Sequence, residues 1–131
     1  MKIEEQVLSI EQMKHLQELG VDTSDASMCW VAGEDTSTDE GEWNLCIPNH
    51  FLLPYNIPTY TIGDLIEKLP KSIDLGFGEY DLELSTKGEY VEVQYENDYD
   101  DYTPFFCANL SPIESLYRIL CWLAENHKEL L

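Results

Sequence analysis

Two runs of strictly alternating residues meet around Gly88. Tyr80, Leu82 and Leu84 alternate with Asp81, Glu83 and Ser85. Val91, Val93 and Tyr95 alternate with Tyr90, Glu92 and Gln94. A period of two sends successive side chains to opposite faces of a strand, so each run has one apolar and one polar face. With Lys87 and Gly88 at the turn, the runs form an antiparallel hairpin in which Leu84 faces Val91, Leu82 faces Val93 and Tyr80 faces Tyr95. That register sets Glu83 opposite Glu92, and like charges directly across a ladder repel. The solvent face of this hairpin is therefore acidic without local compensation.

Three amphipathic segments read as helices. In the first, over 9–19, Ser9 and Gln12 form a capping-box pattern and Gly20 stands at the stop. Ile10, Met13 and Leu16 recur on one face. In the second, the Thr61 hydroxyl caps and Asp64 favours the positive helix end, with Ile62, Leu65, Ile66 and Leu69 apolar and Pro70 as terminator. The third starts at Ser111-Pro112-Ile113-Glu114, with Ser as N-cap, Pro at the first position and Glu at the third. It runs to about residue 127, and Ile113, Leu116, Tyr117, Leu120, Cys121 and Ala124 share one face, widened by Trp122 and Leu123.

Residues 27–32 and 43–47 are rich in strand formers and read as a hairpin with a long polar loop over 33–42. Residues 105–108 read as a short buried strand. Pro48, Pro54 and Pro58 mark a stretch that no regular element is expected to cross intact. It carries Phe51, Leu52, Leu53, Tyr55 and Ile57, which suit a core-packed segment or a groove wall. The order is then α-β-β-α-β-β-β-α, an α+β class with a mainly antiparallel sheet of about five strands packed by three helices. Regular βαβ alternation is absent, which excludes a doubly wound parallel sheet. A length of 131 residues fits one domain over 1–131. With 44% hydrophobic residues, the chain is too apolar for disorder and needs no metal or disulfide to form a core.

Charge decides which partners are open to it. There are 26 acidic and 7 basic residues, a formal net charge of −19. Between Lys14 and Lys68 there are ten acids and no Lys or Arg, and between Lys87 and Arg118 seven acids and no base. Such a surface argues against direct binding of nucleic acid or of anionic membranes, both of which need a basic patch. No apolar run follows Lys2, and no stretch approaches a membrane span, so cytoplasmic placement is expected. Cys29, Cys46, Cys107 and Cys121 are widely spaced in apolar contexts and read as buried free thiols.

The chemical motifs fail on inspection. Asp35, Ser37 and Asp39 alternate like the first ligands of a calcium loop, but Glu40 and Cys46 replace the required Gly and Glu. Cys46 and His50 are separated by Pro48 and have no second ligand pair. A Cys–His dyad would have to use Cys46 or Cys107 with His50. Gly76-Phe77-Gly78 precedes a strand, and no third Gly follows, so it is a turn rather than a phosphate loop. No cofactor, metal or catalytic residue is expected.

Trp30, Trp122, Tyr80 and Tyr95 read as core. Trp43, Tyr99 and Tyr102 stand beside acidic segments, where aromatics serve as interface anchors. The segments over 60–70 (YTIGDLIEKLP) and 116–126 (LYRILCWLAEN), with a hairpin between them, resemble small uncharacterised proteins of gut Bacteroides-type bacteria and their phages or mobile elements. The resemblance covers roughly the second half of the chain. It implies no activity and favours an accessory role.

The expectation is a non-enzymatic interaction domain that binds a protein with a basic surface. Its contact residues are Trp43, Glu83, Glu92, Asp98, Tyr99, Asp100, Asp101 and Tyr102. In a sharper form, carboxylates over 34–42, on the Asp81/Glu83/Glu92 face and over 96–101 mimic nucleic-acid charge. The alternative is a small enzyme or ligand-binding domain with residues 48–58 as a pocket wall beside His50.

Overall fold

A computed structural model describes residues 2–32, 43–47 and 56–131. The elements follow as α1 (Ile10–Glu18), β1 (Met28–Ala32), β2 (Trp43–Cys46), β3 (Asn56–Thr59), α2 (Ile62–Lys68), β4 (Ser72–Asp74), β5 (Glu79–Lys87), β6 (Tyr90–Glu96), β7 (Phe105–Asn109) and α3 (Pro112–Asn126). All strand pairs are antiparallel, in two sheets of order β2-β1-β3 and β4-β5-β6-β7. The class is α+β, as expected. The described residues hold seven strands in two sheets, where about five strands were expected. The chain divides into two compact units, Met1–Asp64 and Leu65–Leu131, with the boundary inside α2.

In the first unit, local signals set the helix ends. The Ser9 hydroxyl accepts from Gln12 N at 3.2 Å, and Gln12 Oε1 accepts from Ser9 N at 2.9 Å, which closes the capping box. At the other end Gly20 takes φ 87°. Val21 N then donates to Leu16 O and Gly20 N to Gln17 O, both at 3.0 Å, the paired closure that a glycine in the left-handed region permits. Met13 and Leu16 are buried with Val7, Leu8, Val21, Cys29 and Tyr60. The Leu8 carbonyl ties this core to the sheet. It accepts from Trp30 Nε1 at 2.9 Å and from the Thr59 hydroxyl at 2.7 Å.

The start of α2 is also closed reciprocally. Asp64 N donates to Thr61 Oγ1 at 3.1 Å, and Thr61 N donates to Asp64 Oδ2 at 3.0 Å. Asp64 further accepts from Ser27 N at 3.0 Å and from the Ser27 hydroxyl. Burial works against the charged carboxyl, but these hydrogen bonds outweigh it and hold Asp64 below the usual aspartate value.

In the second unit, α3 packs on β6 and β7. Ile113, Leu116, Ile119, Leu120, Leu123 and Ala124 are buried at helical spacing. Ile73, Tyr80, Val93, Tyr95 and Cys107 are buried on the sheet. At about 25 cal/mol per Å² of apolar area, each large side chain contributes about 1.5–3 kcal/mol. Polar tips are matched within this core. Tyr95 Oη donates to Pro70 O at 2.8 Å, and Ser115 Oγ donates to Val91 O at 3.0 Å. The Ser111 cap is present, accepting from Glu114 N at 3.4 Å.

Three expectations need correction. The hairpin register is shifted by two: Leu84 pairs with Val93, Leu82 with Tyr95 and Glu83 with Gln94, while Glu92 faces Ser85. The turn residues are Gly88 and Glu89, because the first central position needs positive φ and Gly88 supplies it at 60°. A shift of two keeps every side chain on its face, so Tyr80, Val93 and Tyr95 remain inside. Second, β3 crosses Pro58. It is an outer strand, where the missing N–H is tolerated. Third, β7 is only half buried, since Cys107 points inward and Phe106 outward. The loop over 33–42, with Asp35, Ser37, Asp39 and Glu40, lies outside the described residues. So do Pro48, His50, Phe51, Leu52, Leu53, Pro54 and Tyr55.

Two outcomes test this description. A Cβ on Gly88 meets nothing within 4 Å, so Gly88→Ala acts through backbone strain alone. It should lower the unfolding free energy by about 1–2 kcal/mol in urea melts. Asp64→Asn should cost about 1–2 kcal/mol near neutral pH. Because the folded pKa lies below the unfolded value of about 3.9, that contribution is present above pH 4 or so and is lost as pH falls through the folded value. The gap between Asp64→Asn and wild type should therefore close in acid.

Candidate functional site

Burying Tyr80, Val93 and Tyr95 dictates what the other side of the four-stranded sheet carries. The alternation turns Glu79, Asp81 and Glu83 of β5 outward, and Glu92, Gln94 and Glu96 of β6 with them. Asp81 stands directly opposite Glu96, and Asp74 opposite Glu79. Two like-charge pairs thus face each other across the ladder, each unfavourable. Hydroxyls partner two acids of this face, one of them in the Asp74–Glu79 pair. Ser72 Oγ donates to Glu79 Oε1 at 2.8 Å, and Ser85 Oγ to Glu92 Oε2 at 3.4 Å.

One end of this face is a hollow of about 720 Å³, open to solvent. Its lining includes six carboxylates: Glu79, Asp81, Glu83, Glu96, Asp98 and Asp100. Phe77, Gly78, Leu82, Asn97 and Tyr99 complete it, and no Lys, Arg or His lines it. The acids are spread rather than convergent. Among the described residues, no three His, Cys, Asp or Glu side chains are placed to hold one metal ion.

The rim is built by two short loops. Between β4 and β5, Asp74 Oδ1 accepts from Gly76 N at 2.8 Å, Gly76 takes φ 88°, and Leu75 N donates to Gly78 O at 3.0 Å. This turn presents Phe77, 71% exposed. Beyond β6, Asn97 organises the acidic segment. Its Nδ2 donates to Glu79 O at 3.0 Å, and its Oδ1 accepts from Tyr99 N at 3.1 Å and Asp100 N at 3.0 Å. Asp100 Oδ1 then accepts from Tyr102 N at 2.9 Å.

Three rings lock the two loops together. Phe77, Tyr80 and Tyr102 meet edge to face, with centroids 5.7 to 6.2 Å apart. Tyr80 is fully buried, and its hydroxyl donates to Asp100 Oδ2 at 3.1 Å. Burial first, and this carboxylate second, push the Tyr80 phenol above its ordinary value. Gly78 makes room for the ring: a Cβ there would lie 2.9 Å from Tyr80 Oη.

The structure brings Glu83, Asp98, Tyr99 and Asp100 into this one hollow. Glu92 shares the outer face farther along β6, and Tyr102 stands at the rim through its ring contacts. Asp101 is exposed in the same loop. Trp43 stands at the start of β2, opposite Ala32, in the other unit. Phe77, Glu79 and Asn97 were not among the expected contact residues. Asn97 signals an Asx turn by residue type, but its bond to Glu79 is not visible in sequence. Of the wall over 48–58, only residues 56–58 are described, and His50 is not.

Asn97→Ala removes three hydrogen bonds that fix the rim. Amide exchange at Tyr99 and Asp100 should quicken, with a stability loss of about 1 kcal/mol, while the amides of β6 keep their protection. Unchanged exchange at both amides would show that Asn97 does not hold the loop.

Comparison with protein-family models, curated proteins and solved structures finds no match.

Proposed function

We propose that this chain is a non-catalytic interaction domain whose acidic sheet face receives a basic segment of another protein. The observation that carries the reading is the hollow: six carboxylates, no cation in the lining, and exposed Phe77 and Tyr99 at its edge. A compact cation would need convergent ligands, whereas spread acids along two strands suit an extended basic surface. Along β5, Glu79, Asp81 and Glu83 repeat about every 6.8 Å. Lys and Arg stems can lie on the aromatic rims while their heads meet the acids.

In its sharper form the reading makes the partner a protein whose basic groove otherwise holds nucleic acid. The resemblance to mobile-element proteins favours an accessory role. No helix among the described residues is long and apolar enough to cross a membrane. The acidic surface makes direct contact with nucleic acid unfavourable.

The test uses an oligoarginine peptide as probe and isothermal titration as readout. Binding should appear at low salt and fade as the screening length falls to about 3 Å near 1 M salt. The triple variant Asp81→Asn, Glu83→Gln, Glu96→Gln should weaken it about tenfold or more. Glu4→Gln, Glu11→Gln, Glu18→Gln removes the same charge from exposed positions of the first unit. It should change affinity less than about twofold. Equal losses in the two triples would reduce the effect to net charge and remove the site. Competition by DNA for a captured partner separates the sharper form from the general one.

A further inference from the structure

Cys29 of β1 and Cys46 of β2 are direct partners in the antiparallel ladder. Residues directly opposite carry their side chains on the same face of a sheet. Their Cα atoms stand about 4.5 or 5.5 Å apart according to ladder position, and both spacings fall within the roughly 4.4–6.8 Å that a disulfide spans. Both cysteines are free thiols in this structure. Cys29 is buried and Cys46 is half-buried, so one member of the pair is reachable from solvent. Burial first, and the nearness of Cys46 second, push the Cys29 thiol up. β2 is an outer strand, hydrogen-bonded to β1 within its sheet. Cys107 and Cys121 have no such partner: Cys107 faces Val93 across the ladder, and Cys121 lies on α3.

We propose that Cys29 and Cys46 form a redox modification site, a cross-strand pair that closes reversibly to a disulfide when it meets a small-molecule disulfide such as oxidised glutathione. The Cys46 thiolate attacks one sulfur of that oxidant, breaks its S–S bond and releases one glutathione thiolate. Cys29 then gives its proton to solvent and attacks the Cys46 sulfur. The mixed disulfide breaks, and the second glutathione thiolate leaves. The two protein thiols lose two electrons and two protons, and the oxidant gains them as two glutathione thiols. The product ties β2 covalently to β1, joining the two strands that flank residues 33–42 in sequence.

The native chain is incubated with oxidised glutathione, quenched with an alkylating reagent and analysed by mass spectrometry. Two of the four thiols should be lost to alkylation, and the unalkylated mass should fall by two hydrogens. Trypsin cannot separate the two positions, because no Lys or Arg lies between Lys14 and Lys68. A protease that cuts at acidic residues should yield one linked pair containing Cys29 and Cys46. The Cys107→Ser, Cys121→Ser double variant should behave like wild type. Cys46→Ser should show no linked pair containing Cys29. Cys29→Ala should stop at the mixed disulfide, with one glutathione on Cys46. Four alkylatable thiols in the treated native protein, a link to Cys107 or Cys121, or a wild type that stops at the mixed adduct would each overturn the proposal.

Discussion

Closure of α3 over β6 and β7 is the interaction on which the acidic unit rests. It buries Val93, Tyr95 and Cys107 beneath Leu116, Ile119, Leu120 and Leu123. Alternation then leaves the opposite face no choice of residues to hide, and that face carries the acids. Asp81 against Glu96 and Asp74 against Glu79 are repulsive pairs that the apolar side must offset. The unit tolerates them because the hydrophobic contribution is set by the inner face alone.

The rim is also bought from the interior. Tyr80 belongs to the core by its ring and to the hollow by its hydroxyl, which holds Asp100. Gly78 leaves the space that the ring fills. Loop shape, aromatic display and carboxylate placement are thus coupled through one buried side chain.

Much of the fold was legible because its signals are local. Ser9 with Gln12, Thr61 with Asp64, and Ser111-Pro112 with Glu114 each closed a helix start as their types predict. The hairpin and its buried face were also legible, since alternation survives a register shift of two. The register itself depended on which residue takes positive φ, and one position of Gly88 in the turn decided it. β3 was missed because Pro58 reads as a breaker until the strand is known to be an outer one. β4 has three residues, too few for a period. Within the hollow, Asp81, Glu83 and the acids of residues 96–101 could be named from sequence, whereas Glu79 was missed. Phe77 and Asn97 could not, because their roles come from contacts with Tyr80, Tyr102 and Glu79 across the sheet.

If the outer carboxylates serve recognition, they should work against stability. The direct measurement is the urea midpoint of an Asp81→Asn, Glu96→Gln double variant at low and high salt. The account predicts a midpoint above wild type at low salt, with the difference shrinking as salt screens the repulsion. A midpoint below wild type would mean that these two acids stabilise the sheet, and it would contradict the claim that the face is held for a partner.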